Sequence, residues 1–210
     1  MSPRVLVVLG LLAGACGESL PSARSPASEL APASGRFTLH ADAAALTESL
    51  EFRDVGFRGT ADVGFEATGC CGLALYAAHT SRTSPEAESE SAETLLDGGL
   101  ELSLAPRIPS IEDRLRMRVR GGKAGTPPSQ ASAGRSGFAA SAGLLVRLVD
   151  VHGPAVNRAA PAIDVLVDFY GWSLDREQTS AGTRESSDSA MGGSLVLGLR
   201  VGLDYGVELK

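Results

Sequence analysis

From Gly35 onward, apolar residues return at every second position. The last segment is the clearest. Leu195, Leu197, Leu199, Val201, Leu203 and Tyr205 fall on one face, and Ser194, Val196, Gly198, Arg200, Gly202 and Asp204 on the other. Successive side chains of a strand point to opposite faces, so this period of two predicts a strand with one greasy side. The pattern recurs seven times further up the chain. Leu115, Met117 and Val119 alternate with the row Arg114, Arg116, Arg118 and Arg120. Leu100, Leu102 and Leu104 alternate with Gly99, Glu101 and Ser103, and Ile163, Val165, Val167 and Phe169 with Asp164, Leu166, Asp168 and Tyr170. Val55, Phe57, Ala61, Val63 and Phe65 alternate with Arg58, Thr60, Asp62 and Glu66, and Leu144, Val146 and Leu148 with Gly143, Leu145 and Arg147. Weaker versions cover 36–46 (Phe37 and Leu39 against Thr38, His40 and Asp42) and 72–80. These are eight candidate strands. Most run to about 9–14 residues, against roughly 9–11 for a tilted strand that crosses a bilayer.

The segments between them alternate in length. Long polar links, 81–95, 123–136 and 176–190, take turns with shorter ones around 69–71 and 106–113. In an up-and-down barrel that order puts the long links at one rim. In this layout, over about residues 35–209, the chain resembles the small eight-stranded outer-membrane barrels of the OmpA/OmpX type. The resemblance implies an all-β fold: an eight-stranded antiparallel up-and-down β-barrel of the transmembrane type, in the outer membrane of a Gram-negative bacterium. No residue motif is shared, so it implies a fold and a location rather than an activity.

The environment depends on which face looks outward. A soluble lipocalin-like barrel is apolar inside and would hold an apolar ligand; a membrane barrel is inverted. The polar face carries Arg58, Arg116, Arg118, Arg120, Arg147 and Arg200 together with Asp42, Asp62, Glu66, Glu101, Asp164, Asp168 and Asp204. Near-equal numbers of cations and anions, spaced by small residues, suit a plugged lumen, because a lone buried charge is costly. The expectation is therefore a lumen charge network with no open pore. Aromatics for interfacial girdles are sparse: Phe37, Phe65, Phe138, Phe169 and Tyr205, with Tyr170 and Trp172 on the polar face.

The start of the chain reads as an address. Arg4 precedes an apolar run, Val5 to Ala13, too short for a membrane helix and suited to a signal segment. Ala13-Gly14-Ala15-Cys16 resembles the lipobox of bacterial lipoproteins, which implies cleavage before Cys16 and its acylation, with palmitate-type chains as an anchor worth about 0.8 kcal/mol per buried CH₂. Residues 1–15 are then a lipoprotein-type signal peptide. Residues 16–34, rich in Pro, Ser and Ala, form a flexible tether. The barrel domain is 35–210.

The net charge of −6 argues against a nucleic-acid partner, since phosphate binding needs a basic surface. The expected partners are outer-membrane lipid and, through links 81–95, 123–136 and 176–190, an envelope protein or external ligand. Three cysteines are too few for a disulfide framework. Adjacent Cys70 and Cys71 lack metal-ligand spacing, so the expectation is a vicinal disulfide or two thiols in a turn, with no metal. No phosphate-binding glycine loop or other cofactor motif stands out, and no cofactor is expected. His40 is expected inside beside Asp42. His79 and Ser81, near Glu86, Glu88 and Glu90, resemble the His/Ser/acid set of outer-membrane lipid A deacylases, in which the His takes the Ser proton. That makes a lipid A-modifying enzyme a third reading, on a triplet that is common by chance.

Overall fold

The computed structural model describes residues 34–47, 55–67, 70–82, 93–106, 114–127, 135–149, 154–175 and 190–208. The signal and tether readings, and Glu86, Glu88 and Glu90, lie outside the described residues. Eight strands follow one another: β1 (Gly35–Thr47), β2 (Val55–Ala67), β3 (Cys71–Arg82), β4 (Glu93–Leu104), β5 (Leu115–Gly125), β6 (Ser136–Val149), β7 (Ala159–Asp175) and β8 (Ala190–Val207). Each pairs antiparallel with its sequence neighbours, and β8 returns to pair with β1, so the sheet closes into a barrel without an edge. Gly35 sits opposite both Ala67 and Val207, which fixes the register at the seam.

The ends of the strands define two rims. Thr47, Val55, Arg82, Glu93, Gly125, Ser136, Asp175 and Ala190 lie at the rim joined by links 48–54, 83–92, 126–135 and 176–189. The opposite rim carries links 68–70, 105–114 and 150–158 and both ends of the barrel segment. The second link is the tight one: Cys70 N–H donates to the Ala67 carbonyl. The Cys70 and Cys71 sulfurs are 3.1 Å apart, beyond the roughly 2.05 Å of a disulfide, so the two are not bonded to each other.

Several strands outrun their alternation. β4 begins at Glu93 and β7 at Ala159, inside segments that read as links. Pro161 is tolerated in β7 because β6 pairs with β7 only from Ile163 on, so no neighbour on that side needs its missing N–H. A register shift between Arg147 and Val149 lets Leu148 and Val149 both face outward. Arg114 precedes β5 in a turn and is exposed, so the arginine row enters the barrel as Arg116, Arg118 and Arg120.

The barrel is inside-out relative to a soluble one. All eight strands present large apolar side chains outward, among them Leu39 (60 % exposed), Leu75 (62 %), Phe169 (71 %) and Val201 (51 %). Phe65, Phe37 and Tyr205 stand side by side across β2, β1 and β8 near the short-link rim, the two phenyl rings edge to face at 5.3 Å. Phe57 and Phe138 lie near the other rim. The lipocalin-like arrangement, with the greasy faces converging on the axis, is not what forms.

Inside, apolar and charged layers divide the lumen. Leu46, Leu95, Ala124 and Leu174, all close to the long-link rim, form a cluster with Tyr170, Val196, Leu145 and Leu166. Trp172 packs against it, with the Arg82 guanidinium 5.6 Å above its ring. An eight-stranded barrel is just wide enough for such side chains to fill it.

Candidate functional site

The site the sequence points to is the lumen network. Every one of its thirteen expected members is buried, from Asp204 (0 % exposed) to Arg116 (8 %). Their meeting follows from the strand pattern, because each sits on the parity of its strand that faces the axis. Arg118 stands at the centre. Its Nε lies 3.0 Å from both Asp168 oxygens and its Nη1 3.0 Å from Asp42 Oδ2, with Glu101 at 3.8 Å. One turn of the pleat away, Arg120 donates to Glu101 Oε2 at 2.6 Å and to Asp62 Oδ2 at 3.3 Å, and approaches Asp42 at 3.0 Å. Arg200 enters from β8 and meets Asp62 at 2.7 Å and Glu101 at 3.4 Å.

His40 lies inside as expected, but it meets Asp62, Asp204 and Arg200 rather than Asp42. Its Nδ1 lies 2.6 Å from Arg200 Nη2 and 3.3 Å from Asp62 Oδ1, and its Nε2 2.8 Å from Asp204 Oδ1. The imidazole needs the space Gly202 leaves open: a Cβ there would run into its ring. Asp204 also takes Arg147 Nη1 at 2.9 Å and Arg36 Nη1 at 3.2 Å. Arg147 grips Asp164 as well, and near the short-link rim Arg36 and Arg116 share Glu66.

Two members escaped the sequence reading. Arg36 shares the parity of Thr38 and His40 but sits at the very start of β1. Asp97 shares the parity of Gly99 and Glu101, in the half of β4 masked by neighbouring glycines. Extending each alternation by one or two residues would have found both. Asp97 anchors a second cluster: Arg58 donates to its two oxygens at 2.7 and 2.8 Å and to Thr80 Oγ1 at 2.7 Å, while its guanidinium stacks 4.1 Å over Tyr170. Among the described residues the lumen thus buries seven arginines and eight carboxylates. Forked arginines on carboxylates satisfy the buried charges mutually, which is the condition for burying them at all.

The remaining candidates are not brought together in the same way. His79 and Ser81 both face outward on β3, His79 in register with Gly59 and Leu96 and Ser81 with Phe57 and Thr94. Among the described residues no acidic side chain pairs with either, and no His/Ser/acid triad is completed there. Nor do they contain a group of three or more His, Cys, Asp or Glu able to hold a metal ion. Cys16 lies outside the described residues.

No family model matches the chain, and no curated protein matches it. The solved structures do include matches. One is the crystal structure of Neisserial surface protein A, 12 % identical over 82 % of this chain and 97 % of that one, with a TM-score of 0.39. The barrel assignment rests on the chain's own closed ladder of hydrogen bonds, not on that likeness.

Most of the lumen's charged groups are engaged with one another; among the described residues, Asp42 Oδ1, Arg116 Nε and Arg200 Nε are buried without a hydrogen bond.

Proposed function

We propose that this chain is an outer-membrane β-barrel with a structural or interaction role and no open pore. The observation that supports the reading is the pairing of an outward apolar surface on all eight strands with a lumen sealed by ion pairs. Contiguous apolar patches of that size are rare on soluble monomers, and hydrocarbon removes their contact with water as no soluble environment does. In this reading the long-link rim faces outward, and links 81–95, 123–136 and 176–190 offer polar surface to an envelope protein or external ligand. Cys16, acylated after cleavage of residues 1–15, adds a second hold on lipid. The enzyme reading has no supporting observation beyond the two outward side chains on β3.

The test is whether purified 35–210 needs detergent to stay folded. The expected result is precipitation without detergent and, in it, a folded form that migrates differently on a gel before and after boiling. A monodisperse, folded protein in plain buffer would overturn the proposal. For the anchor, mass spectrometry of the full chain expressed in a Gram-negative host should find acyl chains on Cys16 that vanish in Cys16→Ala.

A further inference from the structure

Near the long-link rim a shallow groove interrupts the apolar outer surface. On β3, β4 and β5, close to the long-link rim, Ala77, Gly98 and Lys123 stand side by side in register, with Phe138 of β6 next in the row. A shallow groove opens here, bordered by Leu96 and Gly125 as well. Its origin lies in the backbone. β4 and β5 approach so closely at Gly98-Gly99 and Gly121-Gly122 that a Cβ on Gly99 or Gly122 would enter the facing main chain. The outward positions at the crossing, Gly98 and Gly121, therefore add no bulk, and neither does Ala77.

Lys123 makes the groove more than a dent. Among the described residues it is the one lysine or arginine at an outward-facing strand position; the other strand arginines point into the lumen. It lies four residues beyond Val119, the last large apolar residue on the outward face of β5, and two short of the strand's end. On the membrane reading that is the depth at which hydrocarbon gives way to head groups, and the lysine stem follows apolar surface while its ammonium reaches the polar layer. His79, exposed and adjacent to Ala77 on the same face of β3, adds a second nitrogen donor on the far side of β4. A floor without side-chain bulk accepts an acyl chain, and the cation at its upper end accepts a phosphate.

We propose that this groove binds one acylated, phosphate-bearing amphiphile of the outer leaflet, of the lipid A class, with an acyl chain along Ala77 and Gly98 and a phosphate on the Lys123 ammonium. The assignment rests on the outer-membrane reading, which puts the long-link rim in the outer leaflet. Charge complementarity carries it: Lys123 is the solitary cation on the outward face of the described strands, two strands away from the exposed Asp175 at the end of β7, and a cation there selects an anionic head group.

The experiment uses the full chain in dodecyl maltoside, titrated with diphosphoryl lipid A and, separately, with phosphatidylglycerol and with dephosphorylated lipid A. Native mass spectrometry reads the bound lipid, and the gel shift on boiling reports the fold of each sample. Wild type should retain diphosphoryl lipid A in preference to the other two. Lys123→Ala should weaken retention by about fivefold, the effect of one cation at a membrane surface. Ala77→Leu, which fills the groove from an exposed position, should weaken it too with the gel shift intact. Equal retention by folded wild type and Lys123→Ala overturns the groove and leaves the barrel reading standing. Equal retention of phosphatidylglycerol overturns the lipid A assignment. A protein that folds without detergent removes both proposals.

Discussion

Arg118 shows what a single residue does in this barrel. It is 2 % exposed and holds Asp168 and Asp42 from two sides of the lumen. Removing it leaves both carboxylates buried without their cation, the costly half of breaking an internal ion pair. Arg118→Met should therefore destabilise the folded barrel by about 3–5 kcal/mol, read as a lower urea midpoint for unfolding from phospholipid vesicles. A loss under about 1 kcal/mol would mean that water or a neighbouring arginine takes over. At this scale the sequence was informative about side and silent about partner. The parity of Arg118 put it with the polar face, yet nothing in its neighbours named Asp42, 76 positions away. Arg114 shows the limit of parity: it continues the arginine row, but the strand starts one residue later, so it stays at the surface.

At the scale of an element, β8 is the strand whose alternation is most complete. Leu199, near its middle, pairs with Ala43 and Val165 and is half exposed, facing away from the lumen. If lipid covers that face, Leu199→Arg should destabilise the barrel in vesicles by about 2–4 kcal/mol, falling to about 0–1 kcal/mol for the same change at an end of the strand. In water an exposed Arg would cost almost nothing, so equal stability at the two depths would count against a bilayer around β8. β4 and β7 were harder to delimit from sequence. Asp97-Gly98-Gly99 and Pro161 are poor strand residues. They are held in strand by neighbours already in place: β3 and β5 on either side of β4, and β8 against the start of β7.

For the whole molecule, closure matters most. Pairing β8 with β1 closes a lumen that the central ion pairs and the apolar cluster near the long-link rim, with Arg58 and Asp97 at its level, fill between them. The protein reconstituted in a planar bilayer should show no discrete conductance steps above the bare-membrane baseline, because an eight-stranded lumen packed with side chains leaves no water column. Steady openings in the wild type would show that the charge network rearranges into a channel. The sealed interior and the greasy exterior are complementary. The buried charges are tolerable only when neutralised by one another, and the exposed hydrocarbon is tolerable only outside water.

The sequence by itself determined the eight strands, the residues that share a face, and the near balance of charge on one of those faces, since all three are readable from a period of two. Alternation alone does not say which face turns inward, because it is unchanged when inside and outside are exchanged; the balance of charge on the polar face is what pointed to a polar lumen. Closure of the sheet broke that symmetry. It also brought His40 against Asp204, 164 positions apart, and pressed β4 onto β5 at their glycines to open the groove beside Lys123. Contacts of that kind depend on stagger and curvature summed over the whole barrel, which no local pattern encodes.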